Sequence, residues 1–309
     1  MRAPEDLRGL RSAKVAILQT KPRKGAYEEN LREAGAAFAQ IVEGTGAELV
    51  AMPEGALTGY FLEGAVYELA LSADRFAADL ARTWREAGGG DVDIASGFYE
   101  NDGGTYYNAA LYLEVRGATH RIAHVHRKMF LPTYGVFDEE RFLSRGRRLQ
   151  TFETRFGRAA MLICEDIWHS IVPTIAALKD ARVLIVPSAA PGRGIDGEGA
   201  ELTSVAHWRN ILTGTAAEHG VYIVYAGLTG FEGGKGLSGS SCIVDPFGAI
   251  AVTAGATEAT IVEGAIDAGE IDIARASMPL LGDLRGVLPD LLLDDELPLP
   301  RAHRDADGR

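Results

Sequence analysis

The sequence predicts a layered α/β protein with sheet inside and helices outside. Short apolar runs of strand length alternate with segments of helical period along most of the chain, the pattern that packs helices onto a sheet. Some neighbouring strands are separated only by tight turns, which mixes antiparallel pairs into the sheet. Three strands run directly into a residue with catalytic-type chemistry, and open α/β sheets bind ligands at the carboxyl ends of their strands. No repeat, low-complexity linker or shift in composition divides the 309 residues. Residues 1–289 are therefore expected to form one domain, and residues 290–309 an extended tail.

The elements follow in order. After a mixed polar stretch over residues 1–12, K-V-A-I-L-Q at Lys14–Gln19 is a strand. Residues 27–43 set Leu31, Ala34, Phe38, Ile41 and Val42 on one helical stripe, closed by Gly44 and Gly46. Glu48–Met52 is a strand running into Pro53-Glu54-Gly55, and residues 67–85 are helical up to three glycines at 88–90. Residues 91–99, 105–115 and 119–125 are strands joined by short turns. Residues 129–148 lack a clean period and read as a long functional loop. Residues 149–152 and 158–164 are strands, 171–179 a helix, 182–187 a strand and 188–199 a loop. A helix is expected over 201–219 and a strand over 221–227, before a glycine-rich loop at 229–239. Strands at 240–245, 249–253 and 260–266 and a short helix at 267–276 complete the series.

Composition excludes several classes. The net charge of −12 argues against nucleic acid and anionic membrane as partners. No apolar run approaches the roughly 20 residues that span a bilayer. Two cysteines, Cys164 and Cys242, make neither a disulfide framework nor a cysteine-rich zinc site. With no signal peptide legible, a reducing cytoplasm is the expected compartment. His120, His124 and His126 lie on or near one strand without a further ligand cluster, so a solvated strand face is expected rather than a metal site. Cys242 reads as core, and His169 as a surface histidine at a helix start.

The chemistry concentrates at three strand ends. Glu54 follows L-V-A-M-P, Lys128 follows I-A-H-V-H-R, and Cys164 follows A-A-M-L-I. Taken singly these are a loop carboxylate, a surface charge and a buried thiol. Together they are a complete set for acyl transfer. A thiol where a strand turns into a helix is exposed to substrate, and the next backbone N–H groups can face a developing oxyanion. Cys164 is the nucleophile, Glu54 the base that takes its proton, and Lys128 the cation that favours thiolate and oxyanion.

The blocks M-P-E-G-A-L-T-G-Y around Glu54, H-R-K-M-F-L-P-T-Y-G-V-F-D-E-E-R-F around Lys128 and L-I-C-E-D-I-W around Cys164 resemble the three signatures of the nitrilase (carbon–nitrogen hydrolase) superfamily. Order and spacing agree from about residue 13 to 275. The resemblance implies a four-layer α-β-β-α sandwich, a Glu–Lys–Cys triad, a covalent acyl-enzyme and no metal or organic cofactor. It also implies a homodimer or larger homo-oligomer. The superfamily's second active-site glutamate falls on Glu139, with Glu140 the alternative. Tyr60, Tyr134 and Trp168 fall where similar amidases place pocket side chains.

The resemblance narrows the reaction. C-E-D at Cys164–Asp166, where nitrilases carry C-W-E, favours an amide over a nitrile. Ile167, Trp168 and His169 stand where carbamoyl-amino-acid hydrolases often carry arginines, which leaves Arg193 as the nearest loop candidate for holding a carboxylate. The blocks come closest to the glutaminase domains of NAD synthetases, yet no Gly-rich phosphate loop is present and S-A-S-P reads Ser188-Ala189-Ala190-Pro191. The expected activity is hydrolysis of a small amide with release of ammonia. An N-carbamoyl hydrolase, a glutaminase subunit serving a separate synthetase and a non-catalytic binding protein on the same fold are the alternatives.

Overall fold

A computed structural model describes residues 12–44, 46–194 and 202–293. The first sheet has the order β14-β1-β2-β3-β4-β5. Its strands are β1 (Ala13–Gln19), β2 (Leu49–Ala51), β3 (Val92–Asp102), β4 (Thr105–Arg116), β5 (Thr119–Arg127) and β14 (Thr260–Ile266). The second has the order β13-β12-β9-β8-β7-β6. Its strands are β6 (Thr151–Thr154), β7 (Gly157–Met161), β8 (Val183–Ser188), β9 (Tyr222–Gly227), β12 (Cys242–Val244) and β13 (Ile250–Thr253). Read from β14 and from β6, both sheets run through the same senses: one antiparallel pair, two parallel pairs, two antiparallel pairs. The sequence itself shows no repeat, so this likeness lives in topology alone.

Side-chain alternation makes the layers. On β1, Val15 and Ile17 enter the core shared with β7, β8 and β9, while Ala16 and Leu18 face the outer helices. On β2, Leu49 and Ala51 point inward and Val50 and Met52 outward. The outer helices of the first sheet are α1 (Tyr27–Gly44) and α3 (Ala73–Glu86), which bury Phe38, Ile41, Phe76, Leu80 and Trp84. The second sheet is covered by α4 (Ile171–Leu178) and α5 (Thr203–His219). Helix, sheet, sheet and helix thus stack in the expected four layers.

Several expectations change. The helix expected over 67–85 is split into α2 (Val66–Leu69) and α3, because Leu71 pairs with the β3 edge and Ser72 then caps α3. The glycine-rich stretch at 229–239 forms a hairpin of β10 (Thr229–Glu232) and β11 (Lys235–Ser238) rather than a loop. After α6 (Ala268–Ser277), a helix α7 (Leu280–Leu292) runs through Pro289, so the tail does not begin at residue 290. Arg285 of α7 bonds Leu178 O and Asp180, and that docking carries the helix past the N–H that Pro289 lacks. The rest of the expected tail, and the start of the expected helix at residue 201, lie outside the described residues.

Candidate active site

Close backbone approach brings the three strand ends together. Gly97 N–H on β3 donates to Pro53 O, 3.0 Å away, and a Cβ at Gly97 would stand 2.5 Å from Glu54 Cα. Only glycine lets the Glu54 turn lie that near its neighbour strand. Lys128 N donates to Asn108 O on β4, and Gly146 N donates to Lys128 O, both at 2.8 Å. A Cβ at Gly146 would collide with Arg127 O at 1.9 Å. Beyond β7, Leu162 still bonds Ile185 O, and Cys164 then opens a 3-10 turn with φ of +46°. That left-handed conformation is strained for a residue with a Cβ and is characteristic of functional turns.

Asp166 fastens this turn to the chain beyond Lys128. Its Oδ2 accepts from Ile163 N at 3.0 Å and from His126 Nε2 at 2.8 Å, and its Oδ1 accepts from Met129 N and Phe130 N at 3.0 and 3.1 Å. Asp166 and His126 are buried. His120 is exposed as expected, but His124 and His126 do not lie on a solvated face. His126 is paired inside, and His124 stacks on Phe152, where burial and then the neighbouring His126 push its pKa down to about 4.

Glu54, Lys128 and Glu139 form one buried cluster. Lys128 Nζ donates to Glu54 Oε1 at 2.8 Å and to Glu139 Oε1 at 2.9 Å. Asn108 Nδ2 donates to the same two oxygens at 2.6 and 3.0 Å. Ala189 N–H, just past β8, donates to Glu54 Oε2 at 2.8 Å and so joins the second sheet to the first. Tyr60 OH donates to Glu139 Oε1 at 2.5 Å, and Glu139 Oε2 has no partner among the described residues. The alternative residue, Glu140, pairs at the surface with Arg145.

Electrostatics follow from this dryness. Burial works against the charge on Lys128, but Glu139 and Glu54 outweigh it and raise its pKa well above the ordinary value. Burial pushes Glu139 up to about 7, against the pull of Lys128 and with the push of Glu54. Burial and then Glu54 raise the Cys164 thiol, which Lys128 opposes. A thiol held neutral by burial, beside a carboxylate and a fixed ammonium, is poised to lose its proton as it attacks.

Cys164 opens onto a chamber of about 410 Å³. Tyr134, Phe137, Trp168 and Trp208 are its aromatic lining, and Arg193 reaches it with its guanidinium 5.3 Å from the Phe137 ring centroid. Tyr134 and Trp168 line this chamber, each partly exposed to the opening. Tyr60 does not line this chamber; it is buried behind Glu139. Sequence reasoning assigned no role to Asn108 or Asp166. Asn108 shows only as one polar residue in a strand of apolar ones, and Asp166 as half of an acidic pair.

Sandwich and site together define a protein of the nitrilase type. The carbon–nitrogen hydrolase family model matches residues 14–276, and the chain belongs to that family. It is 30% identical over 262 residues to a glutamine-dependent NAD(+) synthetase of Rhodobacter capsulatus, which covers 84% of this chain and 44% of that protein. The chain thus spans less than half the length of that relative. It is 28% identical over 273 residues to the 2-oxoglutaramate amidase of Bacillus subtilis, covering 88% of this chain and 97% of that one. A carbon–nitrogen hydrolase structure from Helicobacter pylori G27 superposes with a TM-score of 0.81 at 24% identity, over 91% of this chain and 98% of that one. Among the described residues no group of three or more His, Cys, Asp or Glu could hold a metal, and no helix is long and apolar enough to cross a membrane.

Proposed function

We propose that this carbon–nitrogen hydrolase is an amidase working through a Cys164 acyl-enzyme. The observation that carries the reading is Lys128 held between Glu54 and Glu139 beside a strained, buried thiol. Glu54 takes the thiol proton as sulfur attacks the amide carbon. The tetrahedral oxyanion is stabilised by Lys128 and by a backbone N–H following Cys164. Glu54 then returns the proton to the leaving nitrogen, and ammonia departs. A water, oriented by Glu139 and deprotonated by Glu54, attacks the thioester and frees the acid. The apolar chamber walls exclude bulk water and strengthen each of these interactions.

The likeness to a 2-oxoglutaramate amidase over nearly its whole length supports the amidase reading. Arg193 at the chamber supports a second, narrower reading, an amide whose far end carries a carboxylate, as glutamine does. A homo-oligomer is part of the same proposal, and exposed Val287, Leu291 and Leu292 on α7 favour it. Free thiols at Cys164 and Cys242 suit a reducing, cytoplasmic setting.

Intact-protein mass spectrometry after brief mixing with amides, glutamine, carbamoyl amino acids and nitriles tests the reaction, with ammonia release read in parallel. The expected result is an adduct that names the acyl group and disappears in Cys164→Ala, with turnover down by at least about 10⁴-fold. Undiminished turnover in a folded Cys164→Ala protein overturns the proposal.

A further inference from the structure

We infer that Asn108 is a positioning residue of the acid–base cluster, its carboxamide bridging Glu54 and Glu139 and supporting negative charge on both beside a single lysine. The inference rests on the proposed roles of those two carboxylates. The geometry is a closed arrangement of two donors and two acceptors. Lys128 Nζ and Asn108 Nδ2 each donate to Glu54 Oε1 and to Glu139 Oε1, over distances of 2.6–3.0 Å. Two carboxylates close enough to share both donors repel each other strongly in a dry site. One ammonium balances one of them. The second negative charge has to be held by dipoles.

Three neutral donors are available. Ala189 N–H reaches Glu54 alone, and Tyr60 OH reaches Glu139 alone. Asn108 is the neutral donor that touches both. Its amide cannot titrate, so it stabilises negative charge without supplying a proton or a second cation. Asn108 also accepts the Lys128 backbone N–H at 2.8 Å, which fixes the lysine from both ends.

The orientation of the side chain supports this role. Asn108 is fully buried, and its Oδ1 has no partner among the described residues. An unpaired buried carbonyl is costly. Reversing the amide would set that oxygen against two carboxylate oxygens, which is worse. The carboxylates therefore dictate the orientation, and two charge-assisted bonds offset the orphaned oxygen. The charged and titratable groups facing the bridge are Glu54 from the turn after β2, Lys128 from the end of β5, Glu139 and Tyr60 from the loops, and Cys164 from the turn after β7. Tyr99 on β3 stands behind Tyr60, its hydroxyl on Tyr60 O. Arg127, next to Lys128, points away to Glu100 and Asp102.

The test is the pH dependence of Cys164 alkylation by iodoacetamide, from about pH 5 to about pH 10, which needs no substrate. Wild type, Asn108→Leu and Asn108→Asp are compared, with folding checked by circular dichroism. Loss of the bridge makes the carboxylates harder to ionise. The acid limb should move up by about one pH unit in Asn108→Leu, the shift expected from losing a hydrogen bond to a charged group. Asn108→Asp adds a third carboxylate and should move it further in the same direction. A limb that stays in place while the rate falls equally at every pH marks a merely structural residue and overturns the inference. If Asn108→Leu does not fold, the nearly isosteric Asn108→Asp decides by the same criterion. Failure of the amidase reading would show separately, as the absence of an acyl adduct in wild type.

Discussion

The β3–β4 pair carries a buried carboxylate cluster near each end, and the two are built on opposite rules. Near one end, Asp93 is fully buried and accepts from Tyr112 OH at 2.7 Å, Arg116 at 2.5 Å and Arg155 at 3.1 Å. Two guanidinium groups face one carboxylate there, and their side chains are 36% and 30% exposed. Near the other end, one lysine faces two carboxylates, and the lysine and Glu54 are wholly buried. One Glu139 oxygen is unpartnered among the described residues. The first cluster is over-neutralised and vented to solvent, so it stores little reactivity. The second is short of positive charge and dry, so small changes in protonation there are energetically large. Burial of charge alone does not mark a site; a surplus of negative charge shut away from solvent does.

Removing Lys128 should separate the two clusters most sharply. In Lys128→Met the two carboxylates lose the one ammonium paired with them among the described residues, which weakens Glu54 in its proposed role as base. Turnover should fall by about 10³-fold or more. Alkylation of Cys164 should slow as well, because Lys128 opposes the rise of the thiol pKa. A folded Lys128→Met protein with near-normal alkylation and turnover would break the contrast.

Much of this was legible in the sequence, and what was not has a common cause. The strand ends carrying Glu54, Lys128 and Cys164 could be read because a continuous apolar run ending in a polar residue is a local signal. Glu139 came through resemblance, since its loop has no period of its own. Asn108 could not be read. Its partners Glu54 and Glu139 lie 54 and 31 residues away, and nothing near Asn108 announces either. Tyr60 is put in the pocket by resemblance, which carries no contact of its own. Its hydroxyl contact with Glu139 depends on how the loop is held by Glu232, which accepts from Tyr60 N and Phe61 N. That contact also explains the misread hairpin: glycines at 229–239 signalled turns, whereas cross-strand pairing and the anchored Glu232 made strands of the residues between them. His126 was assigned to solvent because alternation cannot tell a face covered by another sheet's turn from an open one.

The middle-sized effect concerns Glu139. Its pKa of about 7 is raised by burial, so it loses its proton as pH climbs through neutrality. If both carboxylates must be ionised, kcat/KM should rise between about pH 6 and about pH 8. In Glu139→Gln the group that titrates near neutrality is gone, so the acid limb should move down while the maximum falls about 10²-fold. This shift is opposite in sign to the one expected for Asn108→Leu, where both charges remain and their support is removed. The three proteins run in parallel therefore measure charge balance directly. An acid limb displaced upward in Glu139→Gln would contradict the balance drawn here, because it would mean that Glu139 helps Glu54 ionise.

The smallest effect on rate belongs to the other cluster. In Asp93→Asn the carboxylate charge disappears, but the side chain keeps its shape and one acceptor oxygen. Arg116 retains its bonds to Val92 O and Val115 O, and Arg155 its bond to Glu48 O. Both guanidinium groups reach solvent, so neither is left as a bare buried charge. The cost should be about 1–3 kcal/mol of stability, the range for losing charge-assisted hydrogen bonds at a partly solvated site. Urea denaturation reads that loss, as a lower midpoint with unchanged slope. Turnover, the pH profile and Cys164 alkylation should match wild type, because no hydrogen bond or ion pair of Asp93 reaches Glu54, Lys128 or Glu139. A loss of activity beyond the unfolded fraction would mean that the β3–β4 pair transmits strain from one cluster to the other. The two ends would then have to be treated as a single electrostatic unit.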